Sequence, residues 1–184
     1  MKIYVETERL VLREILESDV DDLLELDSDP EVHRFLGNRP LKDKKEVYEV
    51  IKIIRDQYVH YGIGRWAVIE RSTGDFIGWS GLKFVRETIN DHKDFYDIGY
   101  RLKRKFWGKG FATESAKASL QFGFNQLNLD EIYAAAHIEN EASNRILKKI
   151  GLTPLEKFTY DGAVHNWYRA KKEESLINLS ADAI

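Results

Sequence analysis

The residues best suited to chemistry surround two closely spaced glycines, Gly108 and Gly110. The pattern before them predicts a strand from Phe95 to Leu102, and the pattern after them predicts a helix that opens at Ala112. Glycine lacks a Cβ atom, so backbone N–H groups in such a turn can approach a ligand closely. Four basic residues lie nearby: Lys103, Arg104, Lys105 and Lys109. Because the start of a helix also attracts anions, the turn is predicted to bind a phosphate-bearing ligand.

Two phosphate-binding turns of known type fit these residues poorly. A nucleotide P-loop needs Gly-x-x-x-x-Gly-Lys-Ser/Thr, whereas here Lys109 precedes Gly110. A dinucleotide-binding turn needs Gly-x-Gly-x-x-Gly/Ala, and this chain has Thr113 at the third position. Asp130 follows at a suitable distance, but no second mononucleotide-binding half is present. The P-loop is therefore excluded, and a dinucleotide-dependent enzyme is disfavoured.

Hydrophobic periodicity predicts the elements that position this turn. An early strand is expected from Arg9 to Arg13, followed by a helix capped by Ser18 that ends near Asp27. A second helix is predicted from Asp43 to Tyr61. The later elements are strands Trp66–Glu70 and Phe76–Val85, a polar loop at 86–94, the helix Ala112–Phe124, a strand Glu131–Ala136, and a hairpin of Thr153–Tyr160 with Val164–Ala170.

Length and composition limit the class of protein. The chain has 184 residues, 43% hydrophobic and 32% charged, which suits one globular domain. It lacks cysteine, and its histidines show no metal-ligand spacing. No apolar run approaches the roughly 20 residues that cross a bilayer, and the N-terminus does not resemble a signal peptide. The net charge of −3 disfavours nucleic acid as a partner. We therefore expect a cytoplasmic protein without a metal, nucleic-acid or membrane partner.

Two blocks of the sequence resemble the GNAT N-acetyltransferases. Lys105–Gly110 resembles their pyrophosphate-binding loop, Gln/Arg-x-x-Gly-x-Gly/Ala, with lysine at the first position. His137–Leu152 resembles the superfamily's helix Asn-x-x-Ser-x-x-x-Leu-x-x-x-Gly-Phe, which flanks the pantetheine arm of coenzyme A. The stretches Thr7–Arg13 and Asp29–Leu36 resemble the RimJ/RimL-like branch of ribosomal-protein N-acetyltransferases.

The resemblance covers residues 7–171 and implies one α+β domain over residues 1–184, with a tail at 172–184. Its central sheet would be mixed, mostly antiparallel, flanked by helices and splayed where the cofactor enters. The implied enzyme moves an acetyl group from acetyl-CoA to a primary amine, with a peptide or protein N-terminal α-amine as the leading acceptor. A small amine or antibiotic as acceptor, and a non-catalytic acyl-CoA-binding sensor, are the alternatives. No metal is implied, and a homodimer is left open.

Carried over residue by residue, the resemblance implies that the cofactor contacts lie at the glycine turn and its two flanking elements. The expected cofactor-binding residues are Tyr100, Leu102, Lys105, Trp107, Gly108, Lys109, Gly110, Phe111, Ala112, Thr113, Asn140, Ser143 and Lys148. Lys148 and Lys149 either reach the 3′-phosphate of coenzyme A or form a solvated helix face. Asn140 is a candidate both for a helix N-cap and for a hydrogen bond to pantetheine.

Acetyl transfer also needs an oxyanion donor and can use an acid for the departing thiolate. The resemblance implies an oxyanion donor among the backbone N–H groups of 99–102. Many relatives have a tyrosine as the acid, but this chain has Leu147 at that position. The resembled branch offers Ser143 instead, and the alternative for Ser143 is an ordinary hydrogen bond to the helix start.

The base that takes a proton from the acceptor ammonium is harder to assign. Asp97 is the leading catalytic candidate, because relatives often carry an acidic residue two positions before Gly99. Its alternative is a solvated or strand-pairing carboxylate. His137 and Glu87 are weaker candidates, since a histidine at a strand end is more often structural. Trp79 is either a core residue or one wall of an acceptor pocket.

Overall fold

A computed structural model describes residues 1–174, so residues 175–184 of the expected tail lie outside the described residues. The chain forms one eight-stranded sheet with the order β1-β2-β3-β4-β5-β6-β8-β7. All neighbouring strands are antiparallel except β5 and β6, which are parallel. The strands are β1 (Ile3–Glu6), β2 (Leu10–Glu14), β3 (Arg65–Glu70), β4 (Phe76–Val85), β5 (Phe95–Leu102), β6 (Glu131–His137), β7 (Thr153–Tyr160) and β8 (Ala163–Lys171). The expected mixed, mostly antiparallel sheet is confirmed.

Within residues 1–171, five α-helices flank the sheet: α1 (Val20–Asp27), α2 (Pro30–His33), α3 (Lys44–Tyr61), α4 (Phe111–Asn125) and α5 (Glu141–Lys149). The ends of α3 follow from local chemistry. The Asp43 side chain accepts a hydrogen bond from the Glu46 amide at 3.1 Å, which satisfies one free N–H of the first turn. Gly62 ends the helix in the left-handed conformation (φ 67°) that glycine adopts without steric cost.

Three details differ from the sequence-based expectation. Ser18 does not cap α1, because it lies inside a 3₁₀ turn, Glu17–Asp19, where the Asp19 carboxylate accepts from the Leu16 amide at 2.8 Å. The strand β1 and the single-turn helix α2 were not predicted, since each has only four residues and too little periodicity to detect. The remaining predicted boundaries agree with the structure to within one residue.

One face of the sheet is covered by α4 and α5. Gly123 lets α4 approach closely, since a Cβ there would lie 2.6 Å from Ile132 and 2.7 Å from Leu82. The buried core on this side joins both helices to the strands, with Ile98, Leu120, Ala134 and Leu147 among its members. We call this side the cofactor face, for reasons given below.

The opposite face is covered by α1 and α3. Its core contains Leu23 and Leu26 from α1, Ile51 from α3 and Ala67 from β3, with Trp79 packed at its edge. This side is called the acceptor face below.

The two middle strands, β5 and β6, separate soon after they meet. They share a single register pair, Asp97 with Tyr133, and from Ile98 onward the edge of β5 has no strand partner on that side. Ala135 of β6 faces away from the buried Ala134 and Ala136 and is exposed, although it lies inside the sheet. The sheet therefore contains a gap between β5 and β6 beyond the Asp97–Tyr133 pair.

Candidate functional site

The glycine turn has an open backbone directly before α4. Gly108 (φ 74°) and Gly110 (φ 83°) both occupy the left-handed region, which other residues rarely adopt. A Cβ added at Gly108 would meet no atom within 4 Å, so the space beside the turn is free. Gly110 is also the N-cap residue of α4 and makes no side-chain cap, which leaves the first N–H groups of that helix available to a ligand.

A distant segment holds the turn in place. The Arg9 guanidinium donates to the Lys109 carbonyl at 3.1 Å and to the Glu114 carboxylate at 2.7 Å. Thr7 donates to the same carboxylate at 2.6 Å. Sequence reasoning did not find this connection, because Arg9 and Glu114 are 105 positions apart and no local pattern links them.

Most of the basic residues near the turn do not point towards a ligand. Three of them bind carboxylates of α1 and the α1–α2 connection at 2.6–3.2 Å: Lys103 with Asp22 and Glu25, Lys105 with Glu25, and Arg104 with Asp29. Of the four, only Lys109 has no carboxylate partner among the described residues, and its ammonium lies 5.3 Å from the centre of the Phe106 ring. The expectation that all four surround a phosphate is therefore corrected.

A cleft of about 370 Å³ lies between the turn, the start of α4 and one face of α5. Six of the expected cofactor-binding residues line it: Leu102, Gly108, Gly110, Phe111, Ala112 and Thr113. The other walls are Phe106 and four residues of α5: Ala142, Arg145, Ile146 and Lys149. A wider depression of about 660 Å³ opens at the other end of β5, around Asp94 and Glu131, away from the turn. The smaller cleft is the one that the glycine turn serves.

Several expected cofactor-binding residues have other positions. Lys148 does not line the cleft, whereas Lys149 does, because positions 142, 145, 146 and 149 share one face of a helix. Lys105 is turned towards Glu25. Trp107 donates from its indole nitrogen to the Leu102 carbonyl at 2.7 Å, so it fixes the end of β5 to the turn.

Tyr100 and Ser143 meet across the cofactor face. The Tyr100 hydroxyl lies 3.1 Å from the Ser143 hydroxyl and 3.1 Å from the Ser143 carbonyl. Burial raises the pKa of Tyr100 well above its usual value, against a smaller opposing effect of the hydrogen bond with Ser143. The phenol is therefore protonated at neutral pH and can donate a hydrogen bond. Leu147, at the position of the tyrosine in many relatives, is buried in the core.

Asn140 begins α5 and fixes Ser143. Its side-chain oxygen accepts from the Ser143 amide at 3.1 Å, as expected for an N-cap. Asn144, one residue further, is buried and accepts hydrogen bonds from Asn166 at 2.7 Å and from Tyr168 at 2.6 Å. These contacts attach the start of α5 to β8. They also explain how Ser143 keeps a fixed position next to Tyr100.

On the acceptor face, Asp97 is paired with Arg65. The Arg65 guanidinium is buried and donates to the Asp97 carboxylate, to the Asp97 carbonyl at 2.8 Å and to the Gly81 carbonyl. It lies where a side chain of Gly99 would be, since a Cβ there would be 2.7 Å from Arg65 Nη2. The strand-pairing alternative for Asp97 thus describes its surroundings well. Arg65 was missed because nothing near it in sequence suggests a partner.

His137, at the end of β6, and His165, near the start of β8, carry their ring proton on different nitrogens when neutral. The Glu139 amide donates to His137 Nδ1 at 3.1 Å, so a neutral His137 carries its proton on Nε2 and has no free lone pair. His165 lies directly across the strand pair, and its Nδ1 donates to the Ala163 carbonyl at 3.1 Å. His137 is therefore poorly suited to act as a base in this arrangement. Glu87 is exposed in the loop between β4 and β5.

Residues 1–174 contain neither a cluster of metal ligands nor a helix suited to cross a membrane. No three or more histidine, aspartate or glutamate side chains in this part of the chain come together as metal ligands would. None of the helices described here has the length and apolar character required to cross a membrane.

Comparison with known proteins defines the family. Residues 9–153 match the acetyltransferase (GNAT) domain, so the chain belongs to the GNAT acetyltransferases. It is 32% identical to the uncharacterized N-acetyltransferase p20 of Bacillus licheniformis over 90% of this chain and 87% of that protein. It is 25% identical to the spermidine N(1)-acetyltransferase of Escherichia coli over 86% of this chain and 80% of that protein. The protein is thus an acetyl-CoA-dependent N-acetyltransferase, as the sequence predicted.

Solved structures of acetyltransferases share this fold. The structure of RimL, a ribosomal alpha-N-protein acetyltransferase in complex with coenzyme A, superposes with a TM-score of 0.74 and 20% identity. The match covers 92% of this chain and 98% of RimL. The expected structural relation to the RimL-like proteins is confirmed, while the low identity limits this comparison to the fold.

Proposed function

We propose that this enzyme acetylates the α-amine of a peptide or protein, with acetyl-CoA bound in the cleft on the cofactor face. The observation that carries the proposal is the gap between β5 and β6. The strands part after the pair Asp97–Tyr133, directly beside the cleft. A thioester in this gap would lie beside Gly99 of β5, across the strand from Asp97 and its partner Arg65. The gap therefore gives the acetyl group and the amine one meeting point.

The residues of the cleft fit acetyl-CoA, which supplies an activated acetyl thioester. The N–H groups of the glycine turn and the start of α4 suit the pyrophosphate. Arg145 and Lys149, on the cleft face of α5, supply positive charge for the remaining phosphate. Leu102, Phe106 and Ile146 provide an apolar wall for the pantetheine arm. In this proposal Lys149 replaces Lys148 as the cofactor-binding lysine.

Tyr100 and Ser143 are proposed to protonate the departing thiolate together. Ser143 is held by Asn140, and Tyr100 is protonated and hydrogen-bonded to it at 3.1 Å. The serine hydroxyl can donate towards the sulfur while it accepts from the phenol. A thiol pKa near 8.5 makes coenzyme A a good leaving group, so this acid accelerates the reaction without being essential.

Asp97 is proposed to hold the acceptor ammonium rather than to remove its proton. The ammonium loses one proton to water before it attacks, and the proton released as the amide forms restores the Tyr100–Ser143 pair. One oxygen of Asp97 is committed to Arg65. Without a strong base, the enzyme favours an amine that is partly neutral at pH 7. An α-amine, with a pKa of about 8, meets this condition far better than a lysine-like amine at about 10.4. This difference supports the choice of acceptor.

Calorimetric titration with acetyl-CoA, with NADH as the control ligand, tests the cofactor site first. Release of free thiol is then measured with a peptide that has one α-amine, with the same peptide acetylated at that amine, and with spermidine. We expect binding of acetyl-CoA alone and turnover of the free peptide. Preference for spermidine would contradict the proposed acceptor, and binding of acetyl-CoA without any turnover would indicate a sensor.

The acid pair gives a sharper prediction. Ser143→Ala and Tyr100→Phe should each lower the turnover number by about 10-fold to 100-fold, the lower part of the range for general acid–base groups. Because neither hydroxyl binds the phosphates, the Kd for acetyl-CoA should change less than threefold by calorimetry. The double variant should be no slower than the worse single variant. Multiplicative losses would show that the two hydroxyls act separately.

A further inference from the structure

A second polar cluster lies on the acceptor face, at the end of β5. It consists of Asp27, His33, Trp79 and Arg101, and we call it the Arg101 cluster. The Arg101 guanidinium donates through Nη1 to Asp27 at 2.5 Å and lies 5.0 Å from the centre of the Trp79 ring. Asp27 and His33 are almost completely buried, whereas the Arg101 side chain is 20% exposed. Arg101 is thus the member of the pair that solvent or a ligand can reach.

This cluster leaves several buried nitrogen atoms without hydrogen bonds. Arg101 Nε and both ring nitrogens of His33 are buried and have no partner among the described residues. His33 Nε2 is 3.6 Å from Asp27, which is too long for a hydrogen bond. Burial, and to a smaller extent Arg101, lowers the pKa of His33, so its ring is neutral and carries one N–H. Buried polar groups are nearly always satisfied, so Arg101 Nε and the single N–H of His33 are two donors that an oxygen-bearing ligand would satisfy.

The free part of Arg101 has a defined shape. Asp27 uses Nη1, while Nε is unpaired and Nη2 makes no hydrogen bond with a described residue. Nε and Nη2 form one edge of the guanidinium group, and this edge binds a carboxylate or phosphate through two parallel hydrogen bonds. Trp79 lies against the group and limits its rotation. The cluster therefore offers a fork of donors for one anionic group.

The position of Arg101 on β5 places these two donors near Gly99, the proposed site of acetyl transfer. Residues two apart on a strand point to the same face, so Asp97, Gly99 and Arg101 share the acceptor face. At about 3.3 Å per residue, Arg101 lies about 7 Å from Gly99 along β5. Asp97 lies the same distance on the other side. An amine that reaches the gap next to Gly99 would thus have the Arg65–Asp97 pair on one side and the Arg101 guanidinium on the other.

We infer that the acceptor carries a carboxylate close to its reacting α-amine, and that Arg101 binds this carboxylate through its Nε–Nη2 edge. This inference rests on the proposed function and adds to it the class of acceptor. The charges on the acceptor face also favour an acceptor that carries a carboxylate. Two carboxylates of this face are already paired with arginine, Asp97 with Arg65 and Asp27 with Arg101, and Lys83 lies opposite Asp97. With Asp97 proposed to hold the reacting ammonium, a polyamine would find no carboxylate among these groups for its second ammonium.

The test compares acceptors that differ in one carboxylate, with the wild-type enzyme and saturating acetyl-CoA. Each KM is calculated for the neutral amine, because an α-carboxylate also raises the pKa of the amine beside it. One pair is the peptide amides Asp-Ala-Ala and Asn-Ala-Ala, and the other pair is free alanine and alaninamide. We expect the acid of at least one pair to have a KM at least tenfold lower than its amide, with a similar kcat, because a charged hydrogen bond contributes that much. The pair that shows the difference identifies a side-chain or an α-carboxylate as the ligand.

The protein side of the test uses Arg101→Lys. Lysine keeps a positive charge for Asp27 but has no planar fork, so the preference for the acid should fall at least fivefold while the Kd for acetyl-CoA stays unchanged. Arg104→Lys is the matched control, since Arg104 is the next arginine in the chain and binds Asp29 at the surface. Arg104→Lys should retain the wild-type preference for the acid over the amide.

Two results would overturn the inference, and they differ. Equal KM values for acid and amide in both pairs would overturn it alone and leave the proposed function standing. No acetylation of any of the four compounds, with acetyl-CoA bound, would overturn the α-amine acceptor itself and the inference with it. Because the wild-type comparison needs no variant, a folding defect in Arg101→Lys cannot obscure the outcome.

Discussion

The two faces of the sheet differ in how they are built. On the cofactor face, the surface proposed to bind acetyl-CoA is mostly backbone: a glycine turn, a helix start and the edge of β5, with a few apolar side chains. On the acceptor face, the surface consists of charged side chains from separate elements, joined as Arg65–Asp97 and Arg101–Asp27. The surface of the cofactor face is set by local backbone conformation. The surface of the acceptor face is set by ion pairs between residues that are distant in the sequence and meet only when the chain folds.

This difference separates two kinds of constraint. A backbone cradle is fixed by glycine positions that sequence shows directly, and it serves a ligand whose phosphates are always the same. Paired side chains can be exchanged one at a time without rebuilding the fold, so they suit the part of the site that selects the acceptor. The same scaffold can in this way keep one cofactor and change its acceptors.

The largest effect is expected from breaking a buried pair on the acceptor face. Asp97→Leu leaves the buried Arg65 without its partner and should lower the free energy of unfolding by about 3 kcal/mol in urea denaturation. Asp161→Leu is the control, because its pair with Arg39 is exposed and should contribute less than about 1 kcal/mol. Adding Arg65→Met to Asp97→Leu should recover part of the stability. If Asp97→Leu and Asp161→Leu lowered the free energy of unfolding by similar amounts, the ion pairs of the acceptor face would have no special role in stability.

The corresponding test of the cofactor face changes the backbone turn. Gly108→Glu should raise the Kd for acetyl-CoA by about 100-fold, since about 1–2 kcal/mol of left-handed strain adds to repulsion between the carboxylate and the phosphates. Gly74→Glu is a close control: Gly74 has φ 79°, and a Cβ there would also meet nothing within 4 Å. It should lose similar stability and retain affinity. Unchanged affinity in Gly108→Glu would remove the turn from the cofactor site.

A smaller effect is expected from the charges on α5. Lys149→Ala should raise the Kd for acetyl-CoA about fourfold at low salt, because an exposed charge contributes less than about 1 kcal/mol. Lys148→Ala, its neighbour on another face of the helix, should leave the Kd unchanged. The difference should shrink as salt is added, since screening weakens exposed charges. Equal effects of the two changes would argue against the position of Lys149 in the cleft.

Sequence predicted the cofactor side of this molecule well. The strands Phe76–Val85, Phe95–Leu102 and Thr153–Tyr160 have the predicted bounds, because each is bounded by clear turn or loop signals. The family follows from the glycine turn and the start of α5. These features depend on residues close together in the chain, so local chemistry is enough to find them.

The acceptor side could not be predicted in the same way. Arg65 and Asp97 are 32 positions apart, and Asp27 and Arg101 are 74 apart. A charged residue in a sequence gives no indication of which partner it will meet, so Lys103 and Lys105 were assigned to a phosphate although they bind α1. Tertiary pairing decided each of these cases.

The link between Arg9 and Glu114 has a consequence for how the enzyme is made. The glycine turn is completed by a residue that leaves the ribosome more than a hundred positions earlier. Contacts that close so long a loop form late in folding, since the loss of chain entropy precedes any gain. The ability to bind acetyl-CoA should therefore be among the last properties that a refolding chain acquires, well after most of its secondary structure. During refolding, binding of acetyl-CoA should therefore show that β1 and β2 have reached their native position beside the glycine turn.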